Sequence, residues 1–266
     1  MFDLNRLFNA LSSRAGVAAD FQRMLEWKLL RGSHEFPGPH GGTCVNEAAI
    51  VAAGYPYRPV YCVKDMPSSF SRPIAMLALC LNDTLEDDLR QEVLMPFVTR
   101  LGGTADTAKI EMKRAELMLQ RTVVEIMAPA LARAGYGELA ERARALVTPM
   151  QVIEIARELR SGQPSAPEHS LLSAFEHAAD AVAQWRAGLP TEVVFCTFSA
   201  MREIAALDGE RRAETVYRRA AAILDGALQI GSRAEPDHPE LVAQRMEAAK
   251  RDPAAARHEE DEPITA

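Results

Sequence analysis

Val193-Val-Phe-Cys-Thr-Phe198 is the run on which the fold turns. Its β-branched and aromatic content would serve a pleated strand on propensity alone. A strand needs a partner, however, and the segments around it have helical periodicity. Gly188-Leu-Pro190 followed by Thr191 makes a helix start, and the helix predicted from it ends near residue 207. Asp208-Gly209 then turns the chain into a helix over 210–230 that Gly231 closes. The run is therefore read as the first half of a helix, and the fold as all-α.

Working outward, the same signals place further helices. Two are expected near 3–12 and 17–31, the second with Phe21, Met24, Leu25, Leu29 and Leu30 at helical spacing and Gly32 as its stop. One starts at Thr43 or Cys44 and ends at Gly54; a short strand at 59–63 is an option in the irregular stretch after it. Ser71 caps a helix to Leu81, Asn82-Asp83-Thr84 breaks it, and Thr84-x-x-Asp87 starts another that reaches Leu101. A long helical segment at 105–134 is expected to be kinked or divided by Pro129, and a short helix follows at 137–146. Thr148-Pro149-x-Gln151 starts a helix that ends at Ser161-Gly162. Ser165-x-x-Glu168 starts one to Ala187, and a last helix spans 238–250.

The sum is about ten helices in a bundle-like or orthogonal arrangement, with a Gly/Pro-rich ordered loop at 33–43. Gln163-Pro-Ser-Ala-Pro167 divides an N-terminal helical domain (1–162) from a C-terminal helical region (163–250), which could also pack with it as one domain. Residues 251–266 form an acidic tail expected to be disordered.

Composition narrows the function classes. The net charge of −7 comes without a basic stripe, and the Lys113-Arg114 and Arg211-Arg212 clusters alternate with acids as solvated helix faces do. Nucleic acid is thus a disfavoured partner. No apolar run reaches the ~20 residues of a membrane span, and the start of the chain lacks the pattern of a secretory signal. Cys44, Cys62, Cys80 and Cys196 follow no disulfide framework, so free thiols and a cytoplasmic location are expected.

Chemistry concentrates in His34-Glu-Phe-Pro-Gly-Pro-His40-Gly41-Gly42-Thr43-Cys44-Val-Asn-Glu47. A thiol at a helix start lies against the positive end of the dipole, which favours thiolate. His40 is near in sequence as a base, and Glu47 falls one turn along on the face of Cys44. His34, His40, Cys44 and Cys62 are ligand types that zinc accepts, but their spacing matches no finger or knuckle and contains no C-x2-C pair. The backbone amides of Gly41, Gly42 and Thr43 could hold a carboxylate or phosphate, although the G-K-[ST] ending of a P-loop is missing. Asp83, with Asn82, could supply a polar partner to the segment. A small buried Cys44 and a loop turning between helices are the simpler readings of the same residues.

Phe36-Pro-Gly-Pro-x-Gly-Gly-Thr-Cys-x-x-Glu-Ala48, Leu81-Asn-Asp83 with Asp87-x-x-Arg90, Gly103-Thr104 and Pro129-Ala-Leu-x-x-Ala-Gly135 together resemble a helical family of proteins from GC-rich bacteria. The resemblance spans about residues 30–146. It implies bacterial kinship without a mechanism, because no activity, cofactor or catalytic residue is established for that family.

The expected function is a helical binding or protein-interaction module that uses no cofactor. Its partner would be another protein, with a second copy of the chain also open. The alternative is a thiol- or zinc-dependent hydrolase or transferase centred on Cys44, with His40 as base and Glu47 as orienting carboxylate.

Overall fold

The computed structural model describes residues 28–34, 42–55, 57–162, 166–207 and 209–231. Outside them lie the helix expected at 3–12, most of that at 17–31, the middle of the Gly/Pro loop, the helix at 238–250 and the tail.

Among the described residues the chain is all-α apart from one minimal sheet. Strand β1 (Lys28–Leu29) pairs in parallel with β2 (Gly42–Thr43), Lys28 opposite Gly42 and Leu29 opposite Thr43. The helices are α1 (Val45–Ala52), α2 (Arg72–Thr84), α3 (Asp87–Leu94), α4 (Ala108–Thr122), α5 (Ala128–Arg133), α6 (Gly137–Arg144), α7 (Gln151–Ser161), α8 (Ala166–Arg186), α9 (Pro190–Leu207) and α10 (Glu210–Leu228). No helix among the described residues is long and apolar enough to cross a membrane.

Two compact units divide these elements. The described part of the first comprises residues 28–34, 42–55, 57–71 and 82–105; that of the second comprises residues 72–81, 106–162, 166–207 and 209–231. In the first unit every residue of α1 is buried. Gly102 lies so close to Ala53 at the end of that helix that an added Cβ would stand 2.6 Å from the Ala53 Cβ.

In the second unit α9 packs against α8, α4 and α10. Val193, Val194, Thr197 and Phe198 are all buried there, so burial rather than propensity decides the strand-like run. The Thr197 hydroxyl donates to the Val193 carbonyl at 2.7 Å, which satisfies it within the helix.

Several boundaries differ from those expected. Residues 28–29 are strand, not the end of a helix: the Leu30 N–H donates to the Thr43 carbonyl at 2.9 Å and the Leu29 N–H to the Gln91 side chain at 2.8 Å. Tertiary partners there override helical spacing. At 59–63 a 3-10 turn (Val63–Asp65) begins where a strand was an option. Asn82-Asp83-Thr84 does not break α2, which runs through to Thr84, and α3 is preceded by Glu86 rather than capped by Thr84. After Leu94 the chain tightens into a 3-10 turn (Met95–Phe97) containing Pro96.

Pro129 does not sever the long segment. A π-turn (Val123–Met127) joins α4 to α5 immediately before it. The wider turn makes room for a ring with no N–H to donate. Arg114, expected on a solvated face, is buried. Its Nε and one terminal nitrogen donate to the Ile230 carbonyl at 3.0 and 2.8 Å, and the other meets Glu111 at 3.0 Å. A guanidinium with that many partners can be taken out of water.

Candidate functional site

Thr43, Cys44, Asn46 and Glu47 are all fully buried at the join of β2 and α1, in the first unit. Cys44 is the N-cap of α1, in extended backbone. Its sulfur accepts from the Glu47 N–H at 3.3 Å, while Glu47 Oε2 accepts from the Cys44 N–H at 2.8 Å. This is a capping box with a thiol in the place usually taken by a hydroxyl.

The Glu47 carboxylate reaches much further than its own helix. Oε1 accepts from Ser33 Oγ at 2.9 Å, from the His34 N–H at 2.9 Å and from the Val60 N–H at 3.0 Å. Oε2 also accepts from Thr43 Oγ1 at 3.1 Å and lies 3.4 Å from His34 Nδ1. Three backbone amides and two hydroxyls thus converge on one buried carboxylate, which has about four lone-pair sites to offer. The amides that hold this carboxylate are those of His34, Cys44 and Val60, not those of Gly41, Gly42 and Thr43 that the sequence suggested; Thr43 reaches it through its hydroxyl, and Gly41 lies outside the described residues. An isolated buried charge would be very costly; this set of donors is what makes it tolerable.

Asn82 joins the same corner from α2. Its Oδ1 accepts from the Val45 N–H at 3.1 Å, and its Nδ2 donates to the Leu30 carbonyl at 2.9 Å. Asp83 Oδ1 accepts from the Gly32 N–H at 3.0 Å, where a φ of 81° favours glycine. Below them the buried Arg90 donates to the Asn82 carbonyl at 2.6 Å, to the Leu29 carbonyl at 3.3 Å and to the Leu85 carbonyl. Its charge is matched by Asp87 Oδ1 at 2.7 Å.

Burial pushes the Cys44 thiol well above its ordinary value, and the Glu47 charge adds to that. The backbone N–H groups of Glu47 and Asn46 pull the other way and lose. The expectation that a helix start favours thiolate at Cys44 is therefore reversed, because desolvation outweighs the local dipole. Tyr57 is raised by the same two causes, and its hydroxyl donates to the His34 carbonyl at 2.6 Å.

Of the residues singled out from sequence, the corner brings together His34, Gly42, Thr43, Cys44, Glu47 and Asp83. His40 and Gly41 lie outside the described residues. Cys62 is exposed beside the 3-10 turn, whereas Cys44 is sealed. Among the described residues no group of three or more His, Cys, Asp and Glu side chains is placed to hold a metal ion.

Ser33, Tyr57, Val60 and Gln91 escaped sequence reading. Val60 and Leu29 act through backbone N–H groups, which leave no signature in residue type. Compared with protein-family models, with curated proteins and with solved structures, the chain matches none of them.

Proposed function

We propose that the chain is a helical protein-binding module in which the 34–47 corner is scaffold and not a reaction centre. One observation carries this reading: Glu47 is fully buried, with both oxygens occupied by donors from residues 33, 34, 43, 44 and 60. A general base or metal ligand needs unoccupied lone pairs and a path for substrate. Glu47 has neither, and Cys44 has no exposed surface.

What is left to meet other molecules is the helical exterior. Among the described residues Tyr61, Val147, Met150 and Leu189 expose large apolar side chains in the connections between helices, and Phe195 exposes one on α9. Such residues lose water favourably against a protein partner. The thiol-dependent alternative would require Cys44 to ionise readily and meet substrate, and its burial and raised pKa weigh against both.

Iodoacetamide labelling of the native protein at neutral pH, read thiol by thiol by mass spectrometry, tests the reading. Cys62, the exposed thiol, reacts first, and Cys44 reacts last, at a rate set by opening of the fold. Labelling of Cys44 ahead of Cys62 would show an accessible, activated thiol and overturn it.

A further inference from the structure

Helix α9 has two sharply different faces. Val193, Val194, Thr197, Phe198, Ala200, Met201, Ile204 and Ala205 are buried. At 100° per residue, Glu192, Phe195, Ser199, Arg202 and Ala206 fall within an arc of about 80° on the other side. Glu192, Phe195, Arg202 and Ala206 are exposed and Ser199 is half-buried. Phe195 is 55% exposed.

The stripe is self-complementary. Two copies of α9 laid antiparallel about a two-fold axis at position 197 pair residues whose numbers sum to 394. Glu192 of each copy then faces Arg202 of the other, and Phe195 faces the small, short Ser199. Leu189, 42% exposed just before the helix, comes level with the buried Ala205 of the other copy, one residue from the exposed Ala206. A two-fold interface must match a surface to itself, so an acid and a base placed symmetrically about an aromatic and a small residue satisfy its central requirement.

We infer that this face of α9 binds a second copy of the chain, with two Glu192–Arg202 pairs flanking crossed Phe195 side chains. This rests on the binding-module reading and names its partner. One helix face buries a modest area, so the dimer is expected to be weak, on the order of micromolar to tens of micromolar.

Sedimentation equilibrium of the full chain, from about 1 to 200 μM, tests it with charge reversals. The intact chain is expected to dimerise across that range. Glu192→Arg puts two cations together and Arg202→Glu two anions, so each variant alone should dimerise about tenfold or more weakly. An equimolar mixture of the two variants restores both opposite-charge pairs and should dimerise about as well as the intact chain. A damaged fold cannot produce that rescue, and far-ultraviolet circular dichroism confirms that each variant keeps its helices. An intact chain that stays monomeric at 200 μM, or a dimer indifferent to both reversals, overturns the inference. A monomer whose Cys44 stays protected removes only the second copy as partner, whereas rapid labelling of Cys44 removes the binding-module reading itself.

Discussion

Cys44 and Glu47 cap each other: the Cys44 N–H donates to the Glu47 carboxylate at 2.8 Å, and the Glu47 N–H donates to the Cys44 sulfur at 3.3 Å. The pair closes the first turn of a helix buried on every side. The carboxylate then uses its remaining lone pairs to hold residues 33, 34, 43 and 60. Local capping and long-range assembly are the same set of hydrogen bonds.

Asn82 should be far more sensitive than its neighbour. Asn82→Ala leaves the Val45 N–H and the Leu30 carbonyl without their side-chain partner in a buried setting, at a cost of about 2–3 kcal/mol. Asp83→Ala removes an exposed acceptor for the Gly32 N–H and for Asn82 Nδ2, which keeps its bond to the Leu30 carbonyl, and should cost less than about 1 kcal/mol. Urea unfolding of both variants reads the difference, and equal losses would show that Asn82 is not the bridge described.

Gly102→Ala tests close packing in the same unit. The new methyl would stand 2.6 Å from the Ala53 Cβ, a carbon fixed to backbone that cannot rotate away. Overpacking of this kind costs about 1–3 kcal/mol. Ala53→Gly in the same chain should recover part of it by opening the space, a result available from thermal melts of the single and double variants.

Stability should fall in alkali, with Cys44 and Tyr57 both contributing. Each has its folded-state pKa raised by burial and by Glu47, so the folded chain keeps protons that the unfolded chain releases. Their contribution is fully present below the ordinary thiol and phenol values and is lost as pH rises through and beyond them. Cys196 and Tyr217, raised by burial in the second unit, act with the same sign. Replacing Cys44 with Ala should flatten the decline of the urea midpoint above the ordinary thiol value. An unchanged slope would mean that the thiol ionises as freely in the fold as in water.

Glu125 should make the opposite contribution in acid. The hydrogen bond from Arg121 holds its carboxyl below the usual range, aided by Arg219. That stability is present above the ordinary glutamate value and disappears as pH falls through the lowered one. Glu125→Gln should therefore reduce the acid dependence of unfolding, and a variant with the same acid slope as the intact chain would contradict the pairing.

Helix content was legible because caps and periodicity are local. Val193 to Phe198 read correctly as helix only through their context, which burial against α4, α8 and α10 bears out. Cys44 was legible as a helix start and Glu47 as its partner one turn along, since both follow from spacing. The 28–31 stretch misled because its register depends on Thr43 and Gln91, far away in sequence. Arg114 misled because an arginine beside acids looks solvated until the Ile230 carbonyl, 116 residues on, appears above it. The direction of the Cys44 shift was not readable either: dipole and burial oppose each other there, and only coordinates reveal the depth of burial.

The account stands most directly on Glu47→Gln. An amide of the same shape keeps one acceptor oxygen but turns an N–H₂ toward donors, either at Cys44 and Thr43 or at Ser33, His34 and Val60. Urea unfolding at neutral pH should show a loss of about 2–4 kcal/mol, and native-state labelling of Cys44 should accelerate with it. Unchanged or increased stability would contradict the account, since a carboxylate kept for chemistry is commonly a burden on the fold while one kept for structure cannot be lost without cost.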